Sequence, residues 1–337
     1  GAARILFLAA ACVSILAVLL ITVFLLVSGV PAIAKIGVFK FLFGTVWKPG
    51  NDIYGILPMI LGSLYVTAGA LVLGVPIGVL TAIFLSRFAS KRMVSLLKPA
   101  VQLLAGIPSV VYGFFGLVVI VPLLGGRGSM LAASVVLAIM ILPTVITVSE
   151  SSLNAVESSY YEGALALGAT HERSVFSIVL PAAKSGVTAA VILGVGRAIG
   201  EAMAVIMVAG NQPRMPQGIL KGLRTLTTNI VMEMGYSADL HREALIATAV
   251  VLFVFILIIN FLFSLTKRGN KARNSKRFLR CSFVYRSILR RPSPSVRCCL
   301  WLATFSSRVY PISRGRCLSG NIPPIISPCC PRFSIRF

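Results

Sequence analysis

Two opposite charges stand in one of the most apolar stretches of the sequence. Arg197 and Glu201 lie four residues apart within a run of alanine, valine, isoleucine and glycine at residues 184–208. A charge in an apolar helix of membrane length is unfavourable in lipid, so such a side chain normally faces protein or a water-filled path. If residues 184–208 are helical, the i, i+4 spacing places both charges on one face. The planar guanidinium of Arg197 then offers a fork of N–H donors that fits the oxygens of an oxyanion.

Two interpretations of this pair remain open at the level of sequence. In the first, Arg197 binds an oxyanion, and Glu201 either holds the guanidinium in place or neutralises it when no substrate is bound. Competition from the carboxylate would keep binding weak enough for release. In the second, the charges form a structural ion pair that locks two helices together, and Gly194, Gly196 and Gly200 allow those helices to approach closely.

The rest of the sequence predicts the membrane bundle that must position this pair. Of the 337 residues, 57% are hydrophobic and only 12% are charged, whereas soluble domains carry about 25% charged residues. The apolar runs are about 20 residues or longer, which indicates transmembrane helices rather than the strands of a barrel. We predict an all-α membrane protein with six transmembrane helices, at residues 5–28, 56–84, 99–121, 130–148, 184–208 and 244–265.

The third predicted helix contains a break near its start. Gly106, Pro108 and Ser109 interrupt an otherwise apolar run. Lipid tolerates such a break only where protein or a water-filled cavity satisfies the freed backbone groups. Broken helices mark substrate paths in transporters, although a packing kink with no contact to substrate gives the same pattern.

A polar segment separates the fourth and fifth predicted helices. Residues 151–183 carry several Glu and Arg side chains among strong helix formers, so we expect a helix at residues 158–167 outside the bilayer. Basic clusters at residues 87–92 and 267–268 indicate, by the positive-inside rule, that this segment and both termini are cytoplasmic. The chain then divides into a first helix with a periplasmic interfacial segment (1–55), a transmembrane core (56–267) and a tail (268–337).

The tail differs in composition from the rest of the chain. From Lys267 onward the sequence holds 16 of its 32 Lys and Arg residues and six of its seven Cys residues, but no Asp or Glu. We interpret this segment as a translation artefact, such as a frameshift, and a disordered basic tail in contact with anionic lipid is the alternative. Its adjacent cysteines lack the spacing of a zinc site.

Several other classes of function are disfavoured. The sequence contains no GxxxxGK[ST] loop, so we do not expect the chain to hydrolyse ATP itself. The lone His171 and His241 have no second ligand at a useful spacing, and we interpret both as solvated loop residues. We expect no metal, no cofactor, no catalytic residues and no basic face suited to nucleic acid.

The polar segment carries a pattern of a known family. Permeases of ABC importers have a loop with the pattern EAA, three residues, G, nine residues, I-x-LP. Gly163 replaces the usual first alanine, which loosens a helix by about 1 kcal/mol. The residues of this sequence that occupy the pattern are Glu162, Gly163, Ala164, Gly168, Ile178, Leu180 and Pro181.

Two further stretches resemble the inner-membrane permeases of phosphate ABC importers, the PstC type. They are residues 104–113, LAGIPSVVYG, and residues 194–204, GVGRAIGEAMA, and the resemblance covers about residues 1–267. It implies a type I ABC-importer permease bundle, in which two permeases form a heterodimer over two ATP-binding subunits and a periplasmic phosphate-binding protein docks outside. It also implies that the loop helix at residues 162–168 sits in a groove of the ATPase, and that Arg197 and Glu201 act in phosphate passage.

The resemblance therefore predicts a permease subunit of an ATP-driven phosphate importer in the bacterial inner membrane, in contact with lipid and not itself an enzyme. A permease for another oxyanion, such as sulfate, molybdate or phosphonate, is an alternative, because substrate choice also depends on the external binding protein. A membrane component that signals phosphate status is a further alternative. A secondary transporter or channel is disfavoured, since it would carry no ATPase-docking loop.

Overall fold

The computed structural model describes residues 2–261, with side chains from residue 4, as a helical bundle that carries one short β-hairpin. Strands β1 (Trp47–Lys48) and β2 (Ile53–Tyr54) pair antiparallel across a 3₁₀ turn at Pro49–Asn51. The predicted tail at residues 268–337 lies outside the described residues. The helices are α1 (Ala2–Ile36), α2 (Val38–Phe43), α3 (Leu57–Ile83), α4 (Lys91–Gly106), α5 (Ser109–Phe115), α6 (Val121–Leu123), α7 (Met130–Asn154), α8 (Ser158–Ala166), α9 (His171–Ser174), α10 (Leu180–Ala182), α11 (Lys184–Gly200), α12 (Met203–Val208), α13 (Leu226–Glu233) and α14 (Asp239–Phe261).

Three wider, π-helical turns extend or join these helices. They continue α3 through Phe84–Phe88, join α5 to α6 through Gly116–Ile120, and join α9 to α10 through Val175–Val179. Such turns are rare inside helices and concentrate at functional sites. Here the turn at Val175–Val179 lies just before the bend between α10 and α11, and the turn at Gly116–Ile120 follows α5.

Within residues 2–261, four helices are long and apolar enough to cross a membrane: α1, α3 with its π turn, α7 and α14. Two bent helix pairs pass the same test when each pair is taken as one crossing. Lys91–Gly106 and Ser109–Leu123 are bent by 96°, and His171–Ala182 and Lys184–Gly200 are bent by 68°. The six predicted membrane helices therefore correspond to four single helices and two bent helix pairs.

Several predicted helix ends differ from the structure, since α7 continues to Asn154 and α14 begins at Asp239. Two further differences have a local cause. α1 continues through Pro31 to Ile36, because it packs closely against α14 at Gly29, where a side chain would collide with Val250. α4 begins well before residue 99, since the Ser90 hydroxyl caps it by accepting from the Met93 N–H at 3.4 Å. Packing and capping thus extend both helices beyond the limits that proline and charge suggest.

The short elements define two ends of the bundle. The hairpin end carries β1 and β2, and the loop-helix end carries α8, α9 and α10. α3 and α7 both finish at the loop-helix end, where the Ser86 hydroxyl donates to Asn154 Oδ1 at 2.6 Å. Each end has its own buried apolar cluster, and a third cluster from α3, α5, α7, α11 and α12 lies in the middle of the bundle. The middle cluster surrounds the predicted site.

Candidate functional site

Glu201 stands at a break between two helices. α11 ends at Gly200, the Glu201 backbone is extended (φ −75°, ψ 128°), and α12 begins at Met203. The prediction of one continuous helix at residues 184–208 is therefore wrong here. Hydrogen bonds hold the break: Glu201 Oε1 accepts from the Ala204 N–H at 3.1 Å, and the Thr227 hydroxyl donates to the Glu201 carbonyl at 2.9 Å. Together they satisfy backbone groups that a continuous helix would have paired.

Arg197 lies one turn earlier on α11 and is half-buried. Its Nη1 donates to Thr144 Oγ1 on α7 at 3.3 Å. The described residues contain four ion pairs, and neither Arg197 nor Glu201 takes part in any of them. The two charges do not form a locking ion pair in this structure, because the backbone leaves the helix at Glu201.

A tight crevice with no room for a water molecule lies beside Glu201. Much of its wall is formed by hydroxyl side chains, from Ser63 and Thr67 on α3 and from Thr225 and Thr227 at the start of α13. Two of these hydroxyls are already engaged: Thr227 donates to the Glu201 carbonyl at 2.9 Å, and Ser63 accepts from the Leu226 N–H at 2.9 Å, so this wall packs the helix break. None of these four residues was singled out by the sequence analysis.

The predicted break at Gly106, Pro108 and Ser109 is present as a bend of 96° between α4 and α5. α4 ends at Gly106 and α5 begins at Ser109, with Pro108 in extended conformation between them. The Tyr112 hydroxyl donates to the Leu104 carbonyl at 2.7 Å, which satisfies a backbone group at the end of α4. The bend is therefore built into the bundle by side-chain contacts as well as by proline.

The two half-helices that follow the breaks, α5 and α12, pack against each other. A Cβ atom at Gly113 would lie 2.9 Å from both the Ala204 Cα and the Met207 Sδ. Only glycine permits such an approach without a shift of the neighbouring helix. Both breaks thus belong to one packed region of the bundle.

Of the three glycines predicted to allow close helix approach, only Gly194 does so within the described residues. A Cβ atom at Gly194 would lie 3.2 Å from Val145 Cγ2 on α7, whereas one at Gly196 or Gly200 would meet no atom within 4 Å. The space next to Gly196 and Gly200 is open in this chain, on either side of Arg197 in the sequence.

The loop helix forms where the sequence predicts it. α8 covers Ser158–Ala166, and Gly168 follows it in the left-handed conformation (φ 83°). The Gly168 N–H donates to the Leu165 carbonyl at 2.9 Å, and the Ala169 N–H donates to the Ala164 carbonyl at 3.1 Å. These paired bonds make a Schellman motif, so Gly168 caps the end of α8.

The residues of the family pattern divide between an inner and an outer side of the loop segment. Ala164 is buried, and Ile178 and Leu180 are half-buried, while the other four pattern residues are exposed: Glu162, Gly163, Gly168 and Pro181. Apolar side chains share the exposed side, including Tyr160, Leu165 and Leu167, the last of which is 91% exposed. An exposed apolar patch outside the spans marks a surface for another protein.

Polar and aromatic contacts join the loop helix to the ends of α3 and α7. Arg87 donates to the Leu153 carbonyl at 2.9 Å, and its guanidinium carbon lies 5.9 Å from the centre of the Tyr161 ring. The Tyr161 hydroxyl bonds His171 Nδ1 at 2.7 Å, and the Phe88 ring contacts His171 with centroids 4.7 Å apart. His171 is therefore packed among aromatic rings, and its interpretation as a solvated loop residue is wrong.

A buried charged network at the hairpin end was not anticipated from the sequence. The Glu233 carboxylate accepts from Arg224 Nη1 and from Trp47 Nε1, and it lies 2.8 Å from His241 Nε2. Arg224 also donates to Asn229 Oδ1 at 2.9 Å. The Arg224 and Glu233 side chains are only 10% and 8% exposed. The segment before α14 is thus folded into the bundle, and His241 is not a solvated loop residue.

Only the folded chain brings the members of this network together. Trp47 and Glu233 are 186 residues apart, so no local spacing pattern joins them. The Tyr54 ring stacks on His241 with centroids 6.3 Å apart. Burial, with a hydrogen bond to Asp52, raises the pKa of the Tyr54 phenol. Within residues 2–261, no three His, Cys, Asp or Glu side chains are grouped as metal ligands would be.

Membrane-length helices, two helix breaks that share one packed region and a loop helix joined to the ends of two spans define a membrane transport subunit. Residues 74–271 match the family described as "Binding-protein-dependent transport system inner membrane component". This match covers more than half of the chain, which therefore belongs to that family and is an ABC-importer permease.

Known relatives share most of the chain. It is 39% identical over 275 residues to the probable ABC transporter permease protein YqgH of Bacillus subtilis, with 77% of this chain and 89% of the relative covered. It is 31% identical over 247 residues to the phosphate transport system permease protein PstC of Pasteurella multocida, with 66% and 77% covered. These relatives identify the sequence as a permease of the PstC type.

Solved structures share the fold. A chain of the bacterial alginate ABC transporter, crystallised with an alginate pentasaccharide-bound periplasmic protein, aligns with a TM-score of 0.57 at 15% identity and covers 79% of this chain and 95% of that one. A chain of the inward-facing MetNI methionine ABC transporter aligns with a TM-score of 0.51 at 19% identity, covering 64% and 94%. The bundle is therefore that of a type I ABC-importer permease.

Proposed function

We propose that this chain is the permease subunit of an ATP-driven phosphate importer, and that it forms the membrane path for inorganic phosphate with a second permease. The observation that carries the proposal is the environment of Arg197. Within residues 2–261 the Arg197 guanidinium has one side-chain hydrogen-bond partner, the Thr144 hydroxyl, and no carboxylate. A half-buried cation among apolar spans is unfavourable unless water or an anion reaches it. Similarity to phosphate permeases favours phosphate as that anion.

A neutral hydroxyl accompanies Arg197 in this path. Glu201 holds α12 in place, and the half-buried Thr144 hydroxyl, which accepts from Arg197, offers its own proton as a neutral donor. Neutral hydroxyls suit a site that must release its substrate, since they attract an oxyanion less strongly than a second cation does. We assign the bend at Gly106, Pro108 and Ser109 to the same path, because α5 packs on α12 directly after it.

The loop helix is the proposed contact with the ATP-binding subunits. Its exposed side carries Glu162, Leu165 and Leu167, which fits docking into a groove of a soluble partner. Tyr161 on its other side contacts Arg87 at the end of α3. A displacement of α8 would thereby move the ends of the spans, so that ATP hydrolysis by a separate subunit dimer drives transport.

Orientation follows from the same assignment. The loop-helix end, with both termini, faces the cytoplasm of a bacterial cell, and the hairpin end faces the periplasm, where a phosphate-binding protein docks. Arg87 in the π turn after α3 supports this orientation, as do Lys91 and Arg92 at the start of α4. The division into residues 1–55 and a core at 56–267, with the coupling loop at 151–183, stays a prediction.

Uptake of labelled phosphate by the complete transporter tests the proposal. A hydrogen bond to a charged group contributes about 1.5–3 kcal/mol, so we expect Arg197→Gln to reduce uptake by about tenfold or more. Arg214→Gln, which removes an exposed arginine at the hairpin end, is the control and should transport normally. Normal uptake by an assembled Arg197→Gln transporter contradicts the assigned path. Uptake of sulfate, molybdate or phosphonate in place of phosphate would keep the permease class and replace the substrate.

A further inference from the structure

Helix α4 begins at the loop-helix end of the bundle and is bent by 96° from the helix that follows it. It begins at Lys91, just after α3 and its π turn finish at Phe88. Half-way along α4, Lys98 Nζ still lies 2.9 Å from Glu150 Oε1, one turn before the end of α7. Lys91 and the side chain of Lys98 therefore both lie near the ends of spans, and the bend turns α4 away from the direction of α5.

The side chains of α4 form three distinct faces. One face is polar, one is apolar and exposed, and one is half-buried and packs towards α7. Within each face the side chains recur every three or four residues, as they do on one side of a helix. Leu96 and Leu103 on the exposed apolar face are each 74% exposed, and no residue of α4 is buried. The polar face holds Lys91, Ser95, Lys98 and Gln102, the exposed apolar face Met93, Leu96, Ala100 and Leu103, and the half-buried face Val94, Leu97, Val101 and Leu104.

The charge of α4 indicates what covers this surface. The helix contains Lys91, Arg92 and Lys98 but no acidic residue. Lys98 pairs with Glu150, whereas Lys91 and Arg92 are exposed and take part in none of the four ion pairs of the described residues. An exposed apolar stripe beside a basic face is the pattern of a helix that lies in the membrane interface and attracts anionic lipid.

We propose that α4 is an interfacial helix that binds anionic phospholipid at the loop-helix side of the membrane. Leu96 and Leu103 lie among the acyl chains, and Lys91 and Arg92 contact the lipid phosphate. The Lys98–Glu150 pair ties this helix to the end of α7, and Leu153 at that end shares a buried cluster with Val175 of the loop segment. The lipid site is separate from the transport path, so lipid binding there does not depend on which anion is transported.

Quenching by brominated acyl chains tests the position of the apolar stripe. Leu96→Trp and Gln102→Trp are each introduced into the complete transporter, which is then reconstituted in bilayers of brominated lipid. The fluorescence of the unsubstituted transporter is subtracted to remove the contributions of Trp47 and Trp301. We expect at least twofold stronger quenching of Leu96→Trp, with Leu103→Trp as a second variant on the same stripe. Equal quenching on both faces, or none on the stripe, overturns the proposal and places the stripe against a partner subunit or water.

Lipid counting by native mass spectrometry tests the charge. One basic residue near an anionic surface contributes about 1 kcal/mol, or roughly a fivefold change in binding. In mixed phosphatidylglycerol and phosphatidylcholine, the double variant Lys91→Gln/Arg92→Gln should lose its preference for phosphatidylglycerol by fivefold or more. The control, Lys48→Gln/Arg214→Gln, removes two exposed charges at the hairpin end and should keep that preference.

Two results of the same measurement overturn the proposal. One is an unchanged preference in the α4 double variant, or an equal loss in the control. The other is displacement of the bound lipid by millimolar inorganic phosphate, which would make the basic pair Lys91 and Arg92 a site for the free anion.

Discussion

The carboxylate of Glu201 lies 3.1 Å from the backbone nitrogen of Ala204 and caps helix α12, and it forms no ion pair with Arg197. A carboxylate at the start of a helix satisfies free N–H groups and is favoured by the helix dipole. The cap also explains why α11 and α12 are separate helices. Arg197 is left with a hydroxyl partner only, Thr144, among the described residues.

Two substitutions at Glu201 distinguish its hydrogen bond to the start of α12 from the effect of its negative charge. Glu201→Gln keeps a carbonyl oxygen that can accept from Ala204, whereas Glu201→Ala removes the cap, which costs about 1 kcal/mol. We expect the thermal unfolding temperature of the purified transporter to fall for Glu201→Ala and to stay unchanged for Glu201→Gln. Reduced phosphate uptake by Glu201→Gln at normal stability would assign a role to the charge. Equal destabilisation by both variants would contradict the capping role.

The contact between α5 and α12 should tolerate no side chain at Gly113. Gly113→Ala places a Cβ atom 2.9 Å from Ala204 and Met207, and overpacking of this kind costs about 1–3 kcal/mol. Gly106→Ala is the matched control, because a Cβ atom there meets nothing within 4 Å. We expect a lower unfolding temperature for Gly113→Ala only. Equal unfolding temperatures would mean that the two half-helices are not in close contact.

Substitution to alanine at two glycines of the loop segment should change the stability of α8 in opposite directions. Gly163 is exposed within α8 and a Cβ atom there meets nothing within 4 Å, so Gly163→Ala should stabilise the helix by about 1 kcal/mol. Gly168 has φ 83°, so Gly168→Ala should destabilise the cap by about 1 kcal/mol. Amide hydrogen exchange in α8 should become roughly fivefold slower in the first variant and fivefold faster in the second. A shift in the same direction would contradict the assigned conformations.

The buried network at the hairpin end should contribute strongly to stability. Glu233→Ala leaves the buried Arg224 without its carboxylate, and breaking a buried pair costs about 3–5 kcal/mol. Glu243→Ala breaks an exposed pair with Lys35, at 2.8 Å, which is worth about 0–1 kcal/mol. Thermal unfolding of the two variants in the same detergent compares them directly. Similar unfolding temperatures would show that Arg224 finds another partner when Glu233 is removed.

Local features were predicted correctly because neighbouring residues decide them. The loop helix and its Gly168 cap need only a few adjacent residues, and the bend at Gly106 and Pro108 follows from the chemistry of glycine and proline. Long apolar runs likewise require membrane helices whatever surrounds them. Pro31 shows the limit of this argument, since packing against α14 carries α1 past it.

The sequence by itself determined the class of protein, its membrane-length helices and the spacing of the family pattern. The tertiary structure decided the break at Glu201 and the burial of Arg224, Glu233 and His241. Those features depend on hydrogen bonds between distant residues, such as Thr227 to the Glu201 carbonyl and Trp47 to Glu233. Helical periodicity alone favours a continuous helix through Glu201, and only partners from other elements make the interrupted form more stable.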